Sequence, residues 1–375
     1  MIKQIFLFIF YLTSVDSWTN FSQFPKVRKC GYLSMGMPSF ELGKEYIQFY
    51  NKYKFIEKER NLVIKDQDEF VRENLQSYKI FEKNYYLINE ANKFLETQNK
   101  SFSLSLNHYA DIIDFDDQYS TTDLMINPIK SPEIGASTYL KALQAPIDYL
   151  DKAFKFDKID RFNWNDTGLL TPIKNQGRCG SCWAFAVTTA LETFMRNRKN
   201  NVTRLSEQEL VNCSPYDYGC NGGMMHTAFN YIIENNGLYS EEDYPYLATT
   251  NNCTNLPHVS KVDGSNLKDY KFVIPKSIID FKLSLLENPV AIAVDADNLY
   301  FRFYEEGVID VPANFSKNLN HAVLLVGFDY DDEGEYWIIQ NSWGEKWGMN
   351  GFAKLRIAPN EGVLLCQTYG VYPSK

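Results

Sequence analysis

The stretch NQGRCGSCWAF, Asn175–Phe185, contains two cysteines three positions apart in a glycine-containing turn, followed by an apolar run. It fits three kinds of site: a dithiol redox pair, half of a zinc site, or one nucleophile beside one structural cysteine. Cys182 opens a helix predicted to run to Arg196, and the dipole of that helix would favour its thiolate form. The rest of the sequence has to separate these three alternatives.

Two of the alternatives lack the sequence context that they require. A thioredoxin-like redox pair lies between a strand and a helix early in a βαβ unit, and no parallel βαβ series follows here. A zinc site needs about four ligands, and no second Cys/His pair with finger spacing appears in the sequence. We therefore favour the nucleophile and expect neither a metal nor a cofactor.

A thiol nucleophile needs a histidine to hold its proton and a third group to orient that histidine. Among the four histidines, only His321 opens an apolar strand, and Asn341 ends the strand that follows. The turn-rich link Asp331–Gly334 predicts a β-hairpin between these strands. The hairpin would bring His321 close to Asn341 although they lie 20 positions apart. The other histidines are His108, His226 and His258.

The bulk composition indicates a large globular chain. It has 375 residues, 45% hydrophobic and 23% charged, and a formal net charge of −9, which gives no case for a nucleic-acid partner. From about residue 159, three predicted helices precede four predicted strands, which indicates an α+β fold that could form two facing subdomains. The helices are 182–196, 205–211 (with Ser206 and Glu209 as a capping box) and 226–235; the strands are 290–294, 322–328, 336–340 and 351–357.

The first 17 residues have the pattern of a signal peptide: Lys3, then a short apolar run from Ile5 to Leu12, then small residues. The run is too short to cross a bilayer, and no later stretch qualifies. A secretory route makes the seven cysteines disulfide candidates, with an odd one left over. Five glycosylation sequons agree with this route, at Asn20, Asn165, Asn201, Asn252 and Asn314.

Residues 40 to about 95 have apolar side chains at helical spacing and predict one or two long amphipathic helices. Prolines at 128, 132 and 146 then interrupt a Ser-, Thr- and Asp-rich stretch with the composition of a linker. The sequence therefore predicts an N-terminal segment (residues 18–157, helical at about 40–112) and a C-terminal domain (residues 158–375).

Taken together, these motifs resemble those of the papain-like cysteine proteases. QGRCGSCWAF is similar to their active-site segment, and His321 lies 139 positions beyond Cys182. CNGG at Cys220–Gly223 and NSWGEKWGMNGF at Asn341–Phe352 follow in the family's order. The resemblance covers about Asp160–Pro373. It implies a papain-like fold with a helical left and a β-barrel-like right subdomain.

The resemblance also implies the role of each site residue. Cys182 would be the nucleophile, His321 its base and acid, and Asn341 the group that orients the histidine. Gln176 and the backbone N–H of Cys182 would form the oxyanion hole, and Trp343 would shield the His321–Asn341 hydrogen bond. Gly222 and Gly223 would bind the substrate backbone. The pocket for the substrate's second residue before the cut (P2) would contain Met225, Ala293, Ala322 and Tyr369, which favours bulky apolar residues there.

Disulfides Cys179–Cys220 and Cys213–Cys253 are implied in the same way. Cys366 departs from the family pattern, since no partner cysteine precedes His321 in the expected region. It is expected to be free, with a bond to Cys30 as the less favoured alternative.

The N-terminal segment resembles the propeptide of cathepsin L-like members. Five of the six ERFNIN positions match, and Ser77 replaces the arginine. Residues Ser105–Asp111 resemble the GxNxFxD motif that follows. The resemblance implies a helical cap whose chain blocks the cleft until acid weakens its docking and cleavage near residues 150–160 removes it. The five matching positions are Glu73, Phe81, Asn84, Ile88 and Asn92.

The expected protein is thus a cysteine endopeptidase zymogen of the secretory pathway, either lysosomal (or vacuolar) or extracellular. Its partners would be protein and peptide substrates, its own propeptide and cystatin-like inhibitors, and it would be a monomer. One alternative is a catalytically dead papain-like fold that serves as a binding module. A further role, additional to the first, is that the released N-terminal segment inhibits proteases by itself.

Overall fold

The computed structural model describes residues 42–53, 67–112, 159–199, 203–311, 318–357, 366 and 369–374. All of these belong to one compact unit, Leu42–Lys375. The predicted signal peptide, most of the linker and the predicted cleavage region lie outside the described residues. No helix among the described residues is long and apolar enough to cross a membrane.

The described part of the N-terminal segment contains three helices: α1 (Gly43–Tyr53), α2 (Gln67–Glu73) and α3 (Leu75–Thr97). The sequence predicted one or two helices, and the difference arises at Asn74. This residue leaves the helical backbone conformation, and its side-chain Nδ2 donates to the carbonyl of Phe70 (2.9 Å). An asparagine that bonds to the preceding turn competes with the helix, which separates α2 from α3 here.

Aromatic rings form the core between α1 and α3. The ring of Tyr46 lies 5.0 Å from that of Phe81 and 5.4 Å from that of Tyr78, and all three side chains are fully buried. Tilted and edge-to-face pairs at such distances add to the hydrophobic stabilisation of burial. The amphipathic stripe that predicted these helices therefore has the packing role expected of it.

Two asparagines of the ERFNIN pattern fix the chain that returns along α3. Asn92 both donates to the Leu104 carbonyl (2.8 Å) and accepts from the Leu104 N–H (2.9 Å). Asn84 Nδ2 donates to the carbonyl of Ala110 (2.9 Å). These bonds hold β1 (Ser103–Leu104), which pairs antiparallel with β5 (Tyr304–Glu306) of the C-terminal domain.

Three helices dominate the first half of the C-terminal domain: α4 (Cys182–Lys199), α5 (Glu207–Cys213) and α6 (Met225–Glu234). Disulfides join Cys179 to Cys220 and Cys213 to Cys253, the pairs that the resemblance implies. Cys366 is buried and takes no part in either disulfide.

The predicted capping box of α5 is only half right. Ser206 caps the helix, since its hydroxyl accepts from the N–H of Glu209 (3.0 Å). The carboxylate of Glu209 does not return to Ser206, because it accepts from Tyr239 N–H, Asn235 and Lys261 instead. Long-range partners have replaced the local one.

The second half contains the main sheet and two further helices, α7 (Ile278–Glu287) and α8 (Leu299–Arg302). The strands are β2 (Phe162–Asn163), β3 (Asp269–Phe272), β4 (Val290–Val294), β6 (Val308–Ile309), β7 (His321–Asp331), β8 (Gly334–Gln340), β9 (Phe352–Arg356) and β10 (Gly370–Ser374). Their order is β3-β10-β4-β7-β8-β9-β6, with β2 paired to β7, and the described strands do not close into a barrel. The hairpin partners β7 and β8 run through the middle, and their inward-facing residues are buried.

Candidate active site

The loop before α4 places Cys182 at the first position of the helix, where its side chain is fully buried. The N–H of Gly180 donates to the Cys220 carbonyl (2.9 Å), and the Cys179–Cys220 disulfide ties the same two stretches covalently. Cys182 itself lies outside both disulfides. A backbone N–H at the first helical position points out of the helix end, and the helix dipole there favours a negative charge.

His321 and Asn341 meet as the hairpin predicts. His321 begins β7, Asn341 follows β8, and His321 Nε2 lies 2.8 Å from Asn341 Oδ1. The same Oδ1 accepts from the Ser342 N–H (2.8 Å), which identifies it as the amide oxygen. Because an amide oxygen only accepts, Nε2 carries the proton, and the lone pair of the neutral ring is therefore on Nδ1.

Hydrogen bonds connect the Cys182 loop directly to the stretch that contains Asn341. The hydroxyl of Ser342 donates to Gln176 Oε1 (2.7 Å), and the N–H of Gln176 donates to the Ser342 carbonyl (2.9 Å). With its oxygen held in this way, the amide directs Nε2 to the carbonyl of Cys179 (3.0 Å). An amide nitrogen has two hydrogens, and this bond uses one of them.

The surroundings of His321 are apolar. Its ring lies 4.7 Å from that of Trp343 and 6.1 Å from that of Phe301, and the side chain is buried. Burial lowers the pKa of His321 to about 4, and the hydrogen bond to Asn341 opposes this only in part. His321 is therefore neutral in this buried environment over most of the pH range.

Gly222 and Gly223 lie on a loop that bulky side chains could not occupy. Gly222 has φ +109°, and a Cβ on Gly223 would lie 2.6 Å from the Trp183 ring and 2.7 Å from Asp217 Oδ1. Sequence reasoning missed Asp217. It accepts from the Met224 N–H (2.8 Å) and from the hydroxyls of Ser214 and Thr227.

The structure brings three of the four expected pocket residues together, and the fourth, Met225, lies next to a residue that contacts them. Ala293 of β4 pairs with Ala322 of β7, and the N–H of Ala293 lies 3.4 Å from the Tyr369 carbonyl oxygen. The hydroxyl of Tyr369 lies 2.7 Å from Nδ1 of His226, the residue after Met225. His226 was not expected here, and its position next to Met225 was the available signal.

The N-terminal segment contacts the C-terminal domain beside these residues. The ring of Tyr109 packs edge-on against Trp343 at 5.0 Å, and Trp343 in turn packs against His321. Asn107 Nδ2 donates to the Arg302 carbonyl (2.8 Å). Lys100 forms an ion pair with Asp310 (2.6 Å). The linker that would continue from here lies outside the described residues.

No cluster suited to a metal ion is found among the described residues.

Sequence reasoning also missed Ser342 and Tyr246, both of which bond to Gln176. Ser342 lies within the NSWG motif, so its position next to Asn341 could have suggested it. Tyr246 lies 70 positions beyond Gln176, and nothing in its local sequence points to this contact.

Comparison with known proteins places these observations in context. Residues 159–372 match the profile of a family described as "Papain family cysteine protease". A cathepsin L-like peptidase of Aedes aegypti is 36% identical over 297 residues, which is 78% of this chain and 85% of the relative. Human cathepsin L2 is 40% identical over 216 residues, which is 55% of this chain and 64% of that protein. The solved structure of digestive procathepsin L2 proteinase from Tenebrio molitor larval midgut has a TM-score of 0.70 at 28% identity, covering 89% of this chain and all of that one.

Proposed function

This chain belongs to the papain family of cysteine proteases, and we propose that it is a latent endopeptidase in which Cys182 attacks peptide carbonyls. This proposal rests on the hydrogen-bonded series Gln176–Ser342–Asn341–His321. The series joins the loop before α4, which leads to Cys182, to the β7–β8 hairpin that carries the histidine. Each of these residue types has a distinct task in thiol catalysis.

In the proposed reaction, Nδ1 of His321 takes the proton of the Cys182 thiol, giving a thiolate and an imidazolium. Asn341 holds the ring so that Nε2 keeps its own proton. The thiolate attacks the carbonyl carbon, and the C–N bond breaks as the imidazolium protonates the leaving amine. Water, deprotonated by His321, then hydrolyses the thioester and releases the acid product.

The tetrahedral intermediate of each step carries a negative oxygen, which needs hydrogen-bond donors already in place. The second N–H of the Gln176 amide and the backbone N–H of Cys182 are the proposed donors. Ser342 supports this assignment because its bond to Oε1 prevents the amide from rotating.

A preference for bulky apolar residues at P2 is supported by the grouping of Ala293, Ala322 and Tyr369 near Met225. All four side chains are buried in the closed chain. The hydroxyl of Tyr369 bonds to His226, so the aromatic ring would face the substrate with its polar end already occupied.

Latency is attributed to the N-terminal segment, and low pH is the proposed trigger. Burial lowers the pKa of His321 to about 4 in the form with the N-terminal segment in place, from an ordinary value of 6.5. A histidine that is harder to protonate in this closed form stabilises the closed form fully above pH 6.5, and this contribution is lost as the pH falls towards 4. Acid therefore favours the open chain.

Residues 1–17 would be removed as a signal peptide, and cleavage near residues 150–160 would separate 18–157 from the protease. The destination would be a lysosome or vacuole, or the cell exterior, with glycans on some of the sequons. The mature enzyme would be a monomer that cystatin-like proteins inhibit.

The test is hydrolysis of a fluorogenic peptide with an apolar P2 residue by acid-matured protein under reducing conditions, with Cys182→Ala as the control. We expect activity in the first and none in the second. If the matured wild-type protein is inactive with the N-terminal segment removed, the chain is a non-catalytic binding module instead.

A further inference from the structure

Tyr246 joins the two halves of the loop that supplies the proposed oxyanion hole. Its hydroxyl donates to the Gln176 carbonyl (2.8 Å) and lies 2.6 Å from Oγ of Ser181. A tyrosine hydroxyl has one hydrogen, and the carbonyl can only accept it. Ser181 must therefore be the donor in the second bond. The phenol thus bonds to the backbone of one residue and to the side chain of another, five positions apart.

These two contacts lie next to the two proposed oxyanion donors. Gln176 carries the donor amide, and Ser181 supplies the carbonyl half of the peptide bond whose N–H belongs to Cys182. The relative position of the donors depends on the loop between them, where Gly177 adopts φ +60°. Oxyanion stabilisation depends on donors being fixed before the charge develops. The two hydrogen bonds of Tyr246 connect the ends of this loop and so help to keep the two donors in place.

Tyr246 is itself held from several sides. Its N–H donates to Glu241 Oε1 (3.0 Å), and the following N–H, of Leu247, donates to Gln208 Oε1 (2.7 Å). Its ring packs edge-on against that of Phe185 at 4.9 Å, near the start of α4. The hydroxyl is therefore presented by an anchored backbone and an oriented ring.

We propose that Tyr246 is a positioning residue for catalysis, which sets the spacing between the Gln176 amide and the Cys182 N–H. This inference rests on the proposed protease function. Ser342 fixes the rotation of the Gln176 amide, whereas Tyr246 fixes the backbone that carries it. In this role Tyr246 acts on the intermediate through the loop.

The decisive variant is Tyr246→Phe, which keeps the ring on Phe185 and removes the hydroxyl. Loss of an oxyanion donor costs about 10²–10³ in kcat, so loosening two donors should cost about tenfold in kcat, with KM within about twofold. Alkylation of Cys182 by iodoacetamide forms no oxyanion, and its rate should stay within about twofold of wild type. If Tyr246 only stabilised the fold, loss of its hydroxyl would slow peptide hydrolysis and alkylation of Cys182 together.

The matched control is Tyr244→Phe, two residues away in the same segment. The hydroxyl of Tyr244 accepts from Asn212 Nδ2 (3.1 Å) and from the Thr254 N–H (3.2 Å), away from the loop of residues 176–181. Its kcat should stay within about twofold of wild type. If Tyr246→Phe does not fold, Ser181→Ala removes the hydrogen bond to Tyr246 and should lower kcat several-fold, again without slowing alkylation.

The inference is overturned if kcat of the folded variant stays within about twofold of wild type, or if hydrolysis and alkylation slow together. An inactive wild-type protein would instead refute the proposed protease function. The two failures are therefore distinguishable in one experiment.

Discussion

The N-terminal segment and the C-terminal domain each have a packed interior of their own, and a mixed set of contacts joins them. Within the segment, buried rings such as Tyr46 and Phe81 pack against one another, and within the domain two disulfides and the main sheet hold the site. Between them lie the two-residue strand β1, the ring pairs of Tyr109 with Trp343 and Phe102 with Tyr300, and the ion pair of Lys100. Two separate interiors are what the proposed release of the N-terminal segment requires.

The largest effect is expected inside the domain, at His321. His321→Ala should lower kcat of the matured enzyme on the order of 10³-fold or more, because it removes the proposed base for the Cys182 thiol. Asn341→Ala leaves the base present but unoriented, so its loss should be clearly smaller. Peptide hydrolysis with circular dichroism as a folding control checks both. Equal activity of His321→Ala and wild type would remove His321 from the mechanism.

The next effect concerns the interface, at Tyr109. Tyr109→Ala removes a buried ring from Trp343 and should weaken docking of the N-terminal segment by about 1–3 kcal/mol, which is roughly 5–150-fold. The expected result is hydrolysis by the uncleaved chain at neutral pH, at a level that wild type does not show. Tyr86→Ala, which changes an exposed tyrosine on α3, is the control and should leave latency intact. Latency retained in Tyr109→Ala would show that this contact does not hold the cap.

The two regions should also respond to pH in opposite directions. Burial raises the pKa of Glu241 to about 7, and the charge of Glu207 adds to the shift. A carboxyl with a raised folded-state pKa stabilises the domain below about pH 4.5, and this contribution is lost as the pH rises through 7. The cap, by contrast, is expected to be held less tightly in acid.

Glu241→Gln should therefore flatten the pH dependence of the matured enzyme's stability between pH 4.5 and 7, by about 1–2 kcal/mol after allowance for solvent screening. Denaturant unfolding at several pH values measures this. An unchanged slope in the variant would assign the pH response to other groups.

The smallest effect is expected at the ion pair between the two regions. Lys100→Ala should raise the maturation rate at pH 5–6 only about two- to fivefold, since partly exposed pairs contribute about 0.2–1 kcal/mol. Lys271→Ala breaks an exposed pair with Glu287 inside the C-terminal domain and should leave maturation unchanged. A similar acceleration by both variants would indicate general destabilisation rather than release of the cap.

Much of this could be predicted from local sequence. The hairpin of β7 and β8 follows from two apolar runs around a turn, and it alone brings His321 to Asn341. The helix that begins at Cys182 was also predicted from the local sequence. Motif resemblance supplied what periodicity could not, namely the roles of Gln176 and of the N-terminal segment.

The features that escaped prediction depend on distant partners. Tyr246 reaches Gln176 across 70 positions. Glu209 has the spacing of a capping box but bonds to Tyr239 and Asn235 instead. In each case a long-range hydrogen bond decides the role of a polar side chain, and no local pattern encodes it.

The most direct measurement compares peptide hydrolysis by the intact chain and by the same preparation after acid cleavage of the N-terminal segment, with Cys182→Ala treated identically. We expect negligible hydrolysis before cleavage, a large increase after it, and none from the variant at either stage. Equal hydrolysis before and after cleavage would contradict latency. Hydrolysis by the cleaved Cys182→Ala protein would contradict the thiol mechanism.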